Sequence, residues 1–236
     1  MSRVVGVDCF HTHLDDETYG WTIVAVDVIR ASTTAITAVE TGQRCFPVPS
    51  IEAAVPLAGR LVNPVLAGEL GGLKPYGFDL QNSPTEVAQR DDISRPLILL
   101  ATSGTRLMCE AAMRGTAHVA CLRNARAAAE YLAEGHEAVM LLAAASRGEF
   151  REEDQLCCAR IARVLLECGF EARDPETEEI VARWGEASDD AFVGGHSSEY
   201  LRRTGQEHDL EFVISHVDDL ETGYELRDGE VVRVGA

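Results

Sequence analysis

The stretch IVAVDVIRASTTAITAVETG, residues 23–42, decides the fold class of this chain. Its first seven residues are almost all apolar, which is typical of a β-strand that is buried on both faces. From Ser32 the pattern becomes that of a helix, which we expect to end at Gly42. A buried strand that leads directly into a helix is the repeating unit of an α/β fold with a mostly parallel sheet.

The same alternation continues along the chain. Buried-type strands are predicted at 45–48, 65–67, 97–101, 119–122 and 138–143, and helices at 50–61, 105–114, 125–134 and 152–168. Ser83-Pro84-Thr85-Glu86 predicts another helix start, because it combines a capping box with proline at the first helical position. The pattern therefore predicts a mostly parallel sheet that is covered by helices on both faces.

The character of the sequence changes after Gly169. Asp174-Pro175 predicts the start of an acidic helix, and short helical pieces follow it. Asp228-Gly229, flanked by alternating residues, predicts a β-hairpin over 224–234. We interpret the chain as one domain over 1–236 that ends in a helical segment and a hairpin, and residues 170–236 could form a smaller lobe of it.

The composition restricts the classes of function. The formal charge of the 236 residues is −18, because 39 Asp and Glu outnumber 21 Lys and Arg. An acidic surface repels nucleic acid and anionic membranes, whereas a small anionic substrate responds to the local field of its pocket. The sequence has no membrane-length apolar run and no signal-peptide pattern. Seven cysteines without metal-finger spacing indicate a reducing, cytoplasmic compartment.

Three polar clusters follow predicted strands. They are Asp27 to Thr34; the glycine loop with Glu69, Gly71, Gly72, Lys74, Asp79, Asn82 and Ser83; and Thr102 to Arg106. Ligands of open α/β sheets bind at such strand ends, where free N–H groups and helix dipoles favour anions. Ser and Thr at helix starts are also ordinary caps, so only the succession of three clusters points to a site. Lys74 stands out as the single lysine beside twenty arginines.

These segments resemble a known family. VDVIRASTT (26–34), LAGELGGLKPYGFDLQNSP (66–84) and LATSGTR (100–106) are similar to the signature blocks of the 2-phosphosulfolactate phosphatases, the magnesium-dependent ComB family. FREEDQLCCARIA (150–162) resembles the region around the family's Glu-Asp pair, and the likeness covers residues 20–236. It implies a three-layer α/β/α fold, bound Mg²⁺ and hydrolysis of a phosphate ester on a small acid.

The chain departs from the usual pattern of that family at a few positions. Leu70, Ser103 and Ser32 stand where Arg, Asn and Thr are usual, and the residues before the Glu-Asp pair are altered to Ser146-Arg147-Gly148-Glu149. The absence of a positive charge at Leu70 bears on the identity of the substrate more than on the type of reaction.

We therefore expect a Mg²⁺-dependent phosphatase that acts on a small phosphorylated acid. The catalytic candidates are Asp27, Glu69, Lys74 and Arg106; the substrate-binding candidates are Arg30, Ser32, Thr33, Thr34, Gly71, Gly72, Asn82, Ser103, Gly104 and Thr105; the metal-ligand candidates are Asp27, Glu69, Asp79, Glu153 and Asp154. A carboxylate-activated water and an Asp phosphoenzyme both stay open as nucleophile. A phosphatase for another phosphorylated metabolite and a non-catalytic binding protein are the alternative functions, and a homo-oligomer is one option for the assembly.

Other signals are weaker. Cys157 and Arg163 have the C-x₅-R spacing of cysteine phosphatases, but the residues between them read as unbroken helix rather than an anion loop. Aspartyl-phosphate enzymes need a second Asp where Ile29 stands. A solvated loop is favoured over a transition-metal site for His11 and His13, and a loop or cap role is favoured for His196.

Overall fold

The computed structural model describes residues 2–9, 18–145 and 149–235. In these ranges the strands are β1 Arg3–Asp8, β2 Thr22–Val26, β3 Cys45–Val48, β4 Val65–Gly68, β5 Leu97–Leu100, β6 Ala117–Ala120, β7 Ala138–Ala143, β8 Phe170–Ala172, β9 Tyr224–Arg227 and β10 Glu230–Arg233. The helices are α1 Ala31–Glu40, α2 Ile51–Ala58, α3 Pro84–Ala88, α4 Gly104–Ala112, α5 Ala125–Gly135, α6 Glu152–Glu167, α7 Pro175–Trp184, α8 His196–Arg203 and α9 Glu207–Ser215. His11, His13 and Ser146-Arg147-Gly148 lie outside the described residues.

The strands of the described chain form one mixed sheet in the order β4-β5-β3-β10-β9-β6-β2-β7-β1-β8. The hairpin β9–β10 lies inside the sheet and is antiparallel to both β3 and β6, while the other neighbours are parallel. Its turn places Asp228 at φ 53° and Gly229 at φ 80°, as a two-residue type I′ turn requires. The prediction of a mostly parallel sheet with a C-terminal hairpin is confirmed.

Helices cover both faces of the sheet, which gives the three-layer α/β/α arrangement that the resemblance implied. In β2, Val24 and Val26 pack into the core beneath α5, α6 and α7. Ile23 and Ala25 point the other way, into the core beneath α1 and α4. Both faces of β2 are buried under helices. Its side chains are therefore apolar on both faces, and the strand is a continuous apolar run in the sequence.

Segments that follow strands far apart in the sheet order come together at the site. Four strands separate β5 from β2, which would place the two about 24 Å apart in a flat sheet. The four residue steps from Leu100, the end of β5, to Gly104 span at most about 14 Å. Nevertheless Gly104, the first residue of α4, touches the side chain of Asp27, which directly follows β2. The ends of distant strands therefore meet around α1 and α4.

Two predicted helix starts are confirmed by their caps. Ser83 Oγ accepts a hydrogen bond from Glu86 N at 3.1 Å, and Asp174 Oδ1 accepts one from Thr177 N at 2.8 Å. The sequence analysis did not identify β1, a six-residue strand that pairs with β7, or β8, a three-residue edge strand that pairs with β1. Within the described ranges, no helix combines the length and apolar character needed to cross a bilayer.

Candidate active site

A cavity of about 510 Å³ lies at the carboxyl ends of β2, β4 and β5, beneath α8. Small-molecule sites typically have volumes of about 300–1,000 Å³. Its lining includes the following residues that were predicted from the sequence: Asp27, Arg30, Glu69, Gly71, Gly72, Asn82, Ser103 and Asp154. It also includes Thr102 of the third polar cluster and residues that sequence reasoning did not assign to a site, among them Arg151, His196, Ser197, Tyr200 and Arg203.

Asp27 is buried where two helices begin. The backbone N–H groups of Ala31 in α1 and Gly104 in α4 hydrogen-bond its carboxylate, while Oδ1 has no hydrogen-bond partner among the described residues. Burial raises the pKa of Asp27 to about 7, and the charge of Glu69 adds to that shift, whereas the N–H groups oppose it. The carboxylate is thus an under-satisfied acceptor at the wall of the cavity.

Glu153 and Asp154, in the first turn of α6, extend this group of carboxylates. Asp154 Oδ1 accepts a hydrogen bond from Val28 N at 2.7 Å, which fixes it beside the β2 end. Burial raises the pKa of Glu153 to about 7, and the charge of Asp27 contributes to the rise. A hydrogen bond with Ser197 acts in the opposite direction and lowers this pKa. The pKa of Asp154 is also raised, by burial and then by the charges of Asp27 and Glu153.

The chemistry of these three carboxylates fits a cation. Buried like charges repel each other and lack the solvation that would stabilise them, so a positive ion between them is favourable. Among the described residues, no group of three or more His, Cys, Asp or Glu side chains is already arranged as a metal cluster. Mg²⁺ needs only one or two protein carboxylates beside water and substrate oxygens. Asp27 and Asp154, which both line the cavity, meet that requirement.

Glu69 connects the glycine loop to the loop after β5. Its Oε2 accepts hydrogen bonds from Gly72 N at 2.6 Å and Thr102 Oγ1 at 2.9 Å, and its Oε1 accepts one from Thr102 N at 2.6 Å. Gly71 N donates to Thr102 Oγ1 at 2.8 Å. Both oxygens of Glu69 are therefore used inside the protein, where they set the shape of the loop.

Arg30 is held at the cavity by a residue that sequence reasoning missed. Arg30 Nη1 donates to Asp209 Oδ2 at 2.5 Å and to Gln206 Oε1 at 2.7 Å. Asp209 is fully buried and also accepts from Ser83 Oγ at 2.6 Å and Thr85 N at 3.2 Å. Asp209 thus connects α9 to the start of α3 and to Arg30. In the sequence, a single acid on the apolar side of α9 does not indicate this role.

The helix α8 presents a polar face to the cavity. His196, Glu199, Tyr200 and Arg203 recur at the spacing i, i+3, i+4, i+7, which places them on one helix face. Tyr200 Oη donates to Gly72 O at 2.8 Å, so this face reaches the glycine loop. The spacing was visible in the sequence, but His196 was assigned a loop or cap role instead of a place in the site.

Several predicted residues do not line the cavity, and three of them have side chains engaged elsewhere. Lys74 is exposed, and its Nζ donates to the backbone oxygen of Asp79 at 3.2 Å. The Asp79 carboxylate accepts a hydrogen bond from Leu66 N at 2.9 Å. Arg106 forms a surface ion pair with Glu110 at 2.7 Å. Their predicted roles in catalysis and metal binding receive no support from these positions.

The hydroxyl residues at the helix starts mostly support the backbone around Asp27. Ser32 Oγ accepts a hydrogen bond from Asp27 N at 3.0 Å, and Thr33 and Thr105 donate to backbone oxygens at 2.7 and 3.0 Å. Thr34 Oγ1 is buried without a hydrogen-bond partner among the described residues. Ser103, in contrast, lines the cavity and makes no side-chain cap hydrogen bond at the start of α4.

The cysteines of α6 have the features of core residues. Cys157 and Cys158 are fully buried, and burial raises the pKa of both thiols well above the ordinary value. The helix is continuous from Glu152 to Glu167, so no anion-binding loop separates Cys157 from Arg163. A thiolate nucleophile has no basis in this geometry.

Comparison with known proteins bears on the same region. A family model described as 2-phosphosulpholactate phosphatase matches residues 9–222. Three similar proteins are each named probable 2-phosphosulfolactate phosphatase: one from Deinococcus radiodurans (34% identical over 197 residues, 81% of this chain and 78% of that protein), one from Carboxydothermus hydrogenoformans (34% over 174 residues, 68% and 72%) and one from Thermus thermophilus (40% over 147 residues, 61% of each). Because the family model spans most of the chain, this protein belongs to the 2-phosphosulpholactate phosphatase family.

Proposed function

We propose that this protein is a Mg²⁺-dependent phosphatase that hydrolyses the phosphate ester of a small acid such as 2-phosphosulfolactate. The observation that carries the proposal is the meeting of Asp27 and Asp154 with the starts of α1, α4 and α6 at one cavity. Helix N-termini attract phosphate oxygens, whereas carboxylates repel them. A cation bound by both the carboxylates and the phosphate oxygens would remove this repulsion. The names of the relatives support the reaction class.

Asp27 and Asp154 are the residues that would hold Mg²⁺, and the buried Glu153 carboxylate lies behind them. When bound there, the ion would polarise phosphoryl oxygens and neutralise part of their charge. Glu69 and Asp79, the other predicted ligands, accept backbone hydrogen bonds in the glycine loop. In this proposal Glu69 acts by positioning the loop.

The phosphoryl group would be bound by the chain at the start of α4 and by Arg30. The Ser103 hydroxyl is not used as a cap and lines the cavity, so its O–H can donate to a phosphoryl oxygen, and Asn82 lines the same cavity. Arg30 lines the cavity and uses Nη1 for Asp209 and Gln206, whereas its Nε and Nη2 have no hydrogen-bond partner among the described residues. Preorganised donors of this kind stabilise the charge of a transferring phosphoryl group.

The attacking group in this proposal is a water molecule. Its oxygen bonds to phosphorus, the ester P–O bond breaks, and the alkoxide that leaves takes up a proton to give the free hydroxy acid. The proton of the water passes to a carboxylate of the cavity lining that does not hold the ion, since Asp27 and Asp154 would be engaged as its ligands.

The proposal is tested by assaying inorganic phosphate released from a panel of substrates with Mg²⁺ present. We expect the highest kcat/KM on phosphorylated small acids, with 2-phospho-3-sulfolactate and 2-phospholactate above a hexose phosphate and a nucleoside monophosphate. If the protein binds the phosphorylated acids in calorimetry but releases phosphate from none, it is a non-catalytic binding protein. A preference for the sugar phosphate or the nucleotide would assign the chemistry to another substrate class.

A further inference from the structure

Arg203, the last residue of α8, differs from the other cations that line the cavity. Arg30 is paired with Asp209, and Arg151 Nη1 lies 3.4 Å from Glu149 Oε2 and 3.3 Å from His196 Nδ1. The guanidinium of Arg203 has neither an ion pair nor a hydrogen bond with the described part of the chain. It is therefore available to a ligand, and its planar fork matches the geometry of an acid group.

A helix-dipole role does not account for the position of Arg203. Basic residues in the last turn of a helix are favourable in general, and both Arg202 and Arg203 stand in that turn of α8. Arg202 is engaged elsewhere, since its Nη1 donates to Val193 O at 2.8 Å and its Nε lies 3.6 Å from Glu207 Oε1. Only Arg203 lies on the cavity face, one turn after Tyr200.

The charge of the cavity makes such a cation necessary for an acidic substrate. The carboxylates that line the cavity are Asp27, Glu69, Glu149, Asp154 and Glu199. In the proposed function, Asp27 and Asp154 share a divalent ion with the phosphoryl group. A second acid group on the substrate would then meet Glu149 and Glu199, and like charges repel in a partly enclosed site. Arg203, on the same helix face as Glu199, supplies the opposite charge.

We propose that Arg203 binds the acid group, carboxylate or sulfonate, that the substrate carries in addition to its phosphate. This inference rests on the proposed function, because it takes the phosphoryl group to be held at the Asp27 end of the cavity. It assigns the choice of substrate to α8 rather than to Leu70, which does not line the cavity.

Three substrates with the same three-carbon skeleton test the proposal: isopropyl phosphate, 2-phospholactate and 2-phospho-3-sulfolactate. We expect Arg203→Ala to lower kcat/KM for an acid substrate by a factor that exceeds its effect on isopropyl phosphate by about 10- to 100-fold, as for loss of a charged hydrogen bond. Arg203→Lys should restore part of the difference, and the adjacent Arg202→Ala is the matched control. If kcat/KM falls more for both acids than for isopropyl phosphate, the bound group is the carboxylate. If the extra loss is confined to 2-phospho-3-sulfolactate, the bound group is the sulfonate.

Equal losses on all three substrates, or no loss on any, would overturn the assignment. Calorimetry with the phosphate-free acids lactate and 3-sulfolactate gives a second readout that needs no turnover. The wild type should bind 3-sulfolactate about 10-fold or more tightly than Arg203→Ala does, and equal affinities would also overturn the assignment. If the wild type releases phosphate from no substrate, the proposed function fails, and this binding difference still decides the role of Arg203.

Discussion

Gly104 packs against the carboxylate of Asp27 so closely that a Cβ at position 104 would lie 2.0 Å from Asp27 Oδ2. The first backbone N–H of α4 reaches the carboxylate only because no side chain intervenes. This contact joins two segments that follow strands far apart in the sheet, and it fixes Asp27 at the wall of the cavity.

Gly104→Ala is expected to displace Asp27 and to reduce phosphate release, because the new methyl group must push either the carboxylate or Ala31 aside. The loss should be about 10²-fold in kcat, with the free energy of unfolding lowered by about 1–3 kcal/mol as in other overpacked sites. Gly135→Ala at the end of α5, where a Cβ meets nothing within 4 Å, is the control. Wild-type kcat in Gly104→Ala would mean that this contact does not position Asp27.

The stability of the metal-free protein should depend on pH through Asp27. Its folded pKa of about 7 is above the ordinary 3.8, so the folded state binds more protons between these values. Stability from this group is complete below pH 4 and is lost as pH rises through 7. The free energy of unfolding is measured in urea with EDTA present, at pH 5 and at pH 8. Between these pH values it should fall less for Asp27→Asn than for the wild type or for the exposed control Asp91→Asn. Parallel pH dependence in the three proteins would contradict the shift.

Arg30 and Lys74 should differ in their effect on catalysis. Arg30→Lys keeps a charge near Asp209 but loses the remaining N–H groups of the planar guanidinium, and we expect kcat to fall by about 10²–10³-fold. Lys74→Ala removes a side chain whose ammonium bonds to the Asp79 carbonyl outside the cavity, so kcat should change less than threefold. Steady-state kinetics with folding checked by circular dichroism measures both. A large loss in Lys74→Ala would return the lone lysine to the catalytic group.

Asp209 should be required for stability as well as for the position of Arg30. Asp209→Ala leaves the buried Arg30 guanidinium without its partner and removes the acceptor for Ser83 and Thr85. Breaking a buried pair in this way typically costs about 3–5 kcal/mol of unfolding free energy. Glu130→Ala, which breaks the exposed pair with Arg126, is the control and should have a far smaller effect. Similar urea midpoints for the two variants would refute this role of Asp209.

The fold could largely be predicted from the sequence because its signals are local. Caps such as Ser83 and Asp174 act within a few residues and begin helices as predicted. The apolar run 23–29 contains β2, although that strand ends at Val26 and the chain turns before α1. The place of the hairpin is different. Asp228-Gly229 predicts the turn, but pairing of β9 with β6 and of β10 with β3 depends on contacts more than a hundred residues away in sequence.

The part of the site that could be predicted lies at strand ends and in the segments that resemble the family. Asp27 and Asp154 were both candidate metal ligands, and in the structure their charges interact. The hydrogen bond that holds Asp154 there comes from Val28 N, 126 residues away in sequence. Lys74 was singled out by its rarity, which carries no information about where a side chain lies. Arg203 was overlooked because a polar face on a short helix is ordinarily solvated, and only the tertiary structure places it at a cavity.

The central claim is that a magnesium ion bound with Asp27 and Asp154 makes this protein a phosphatase. Its most direct test is the initial rate of phosphate release from 2-phospho-3-sulfolactate by the metal-stripped protein, before and after Mg²⁺ is added, for the wild type and for Asp154→Asn. We predict no release without metal, restored release in the wild type with Mg²⁺, and a rate at least about 10²-fold lower in Asp154→Asn. Full activity in excess EDTA, or equal rates in the two proteins with Mg²⁺, would contradict it.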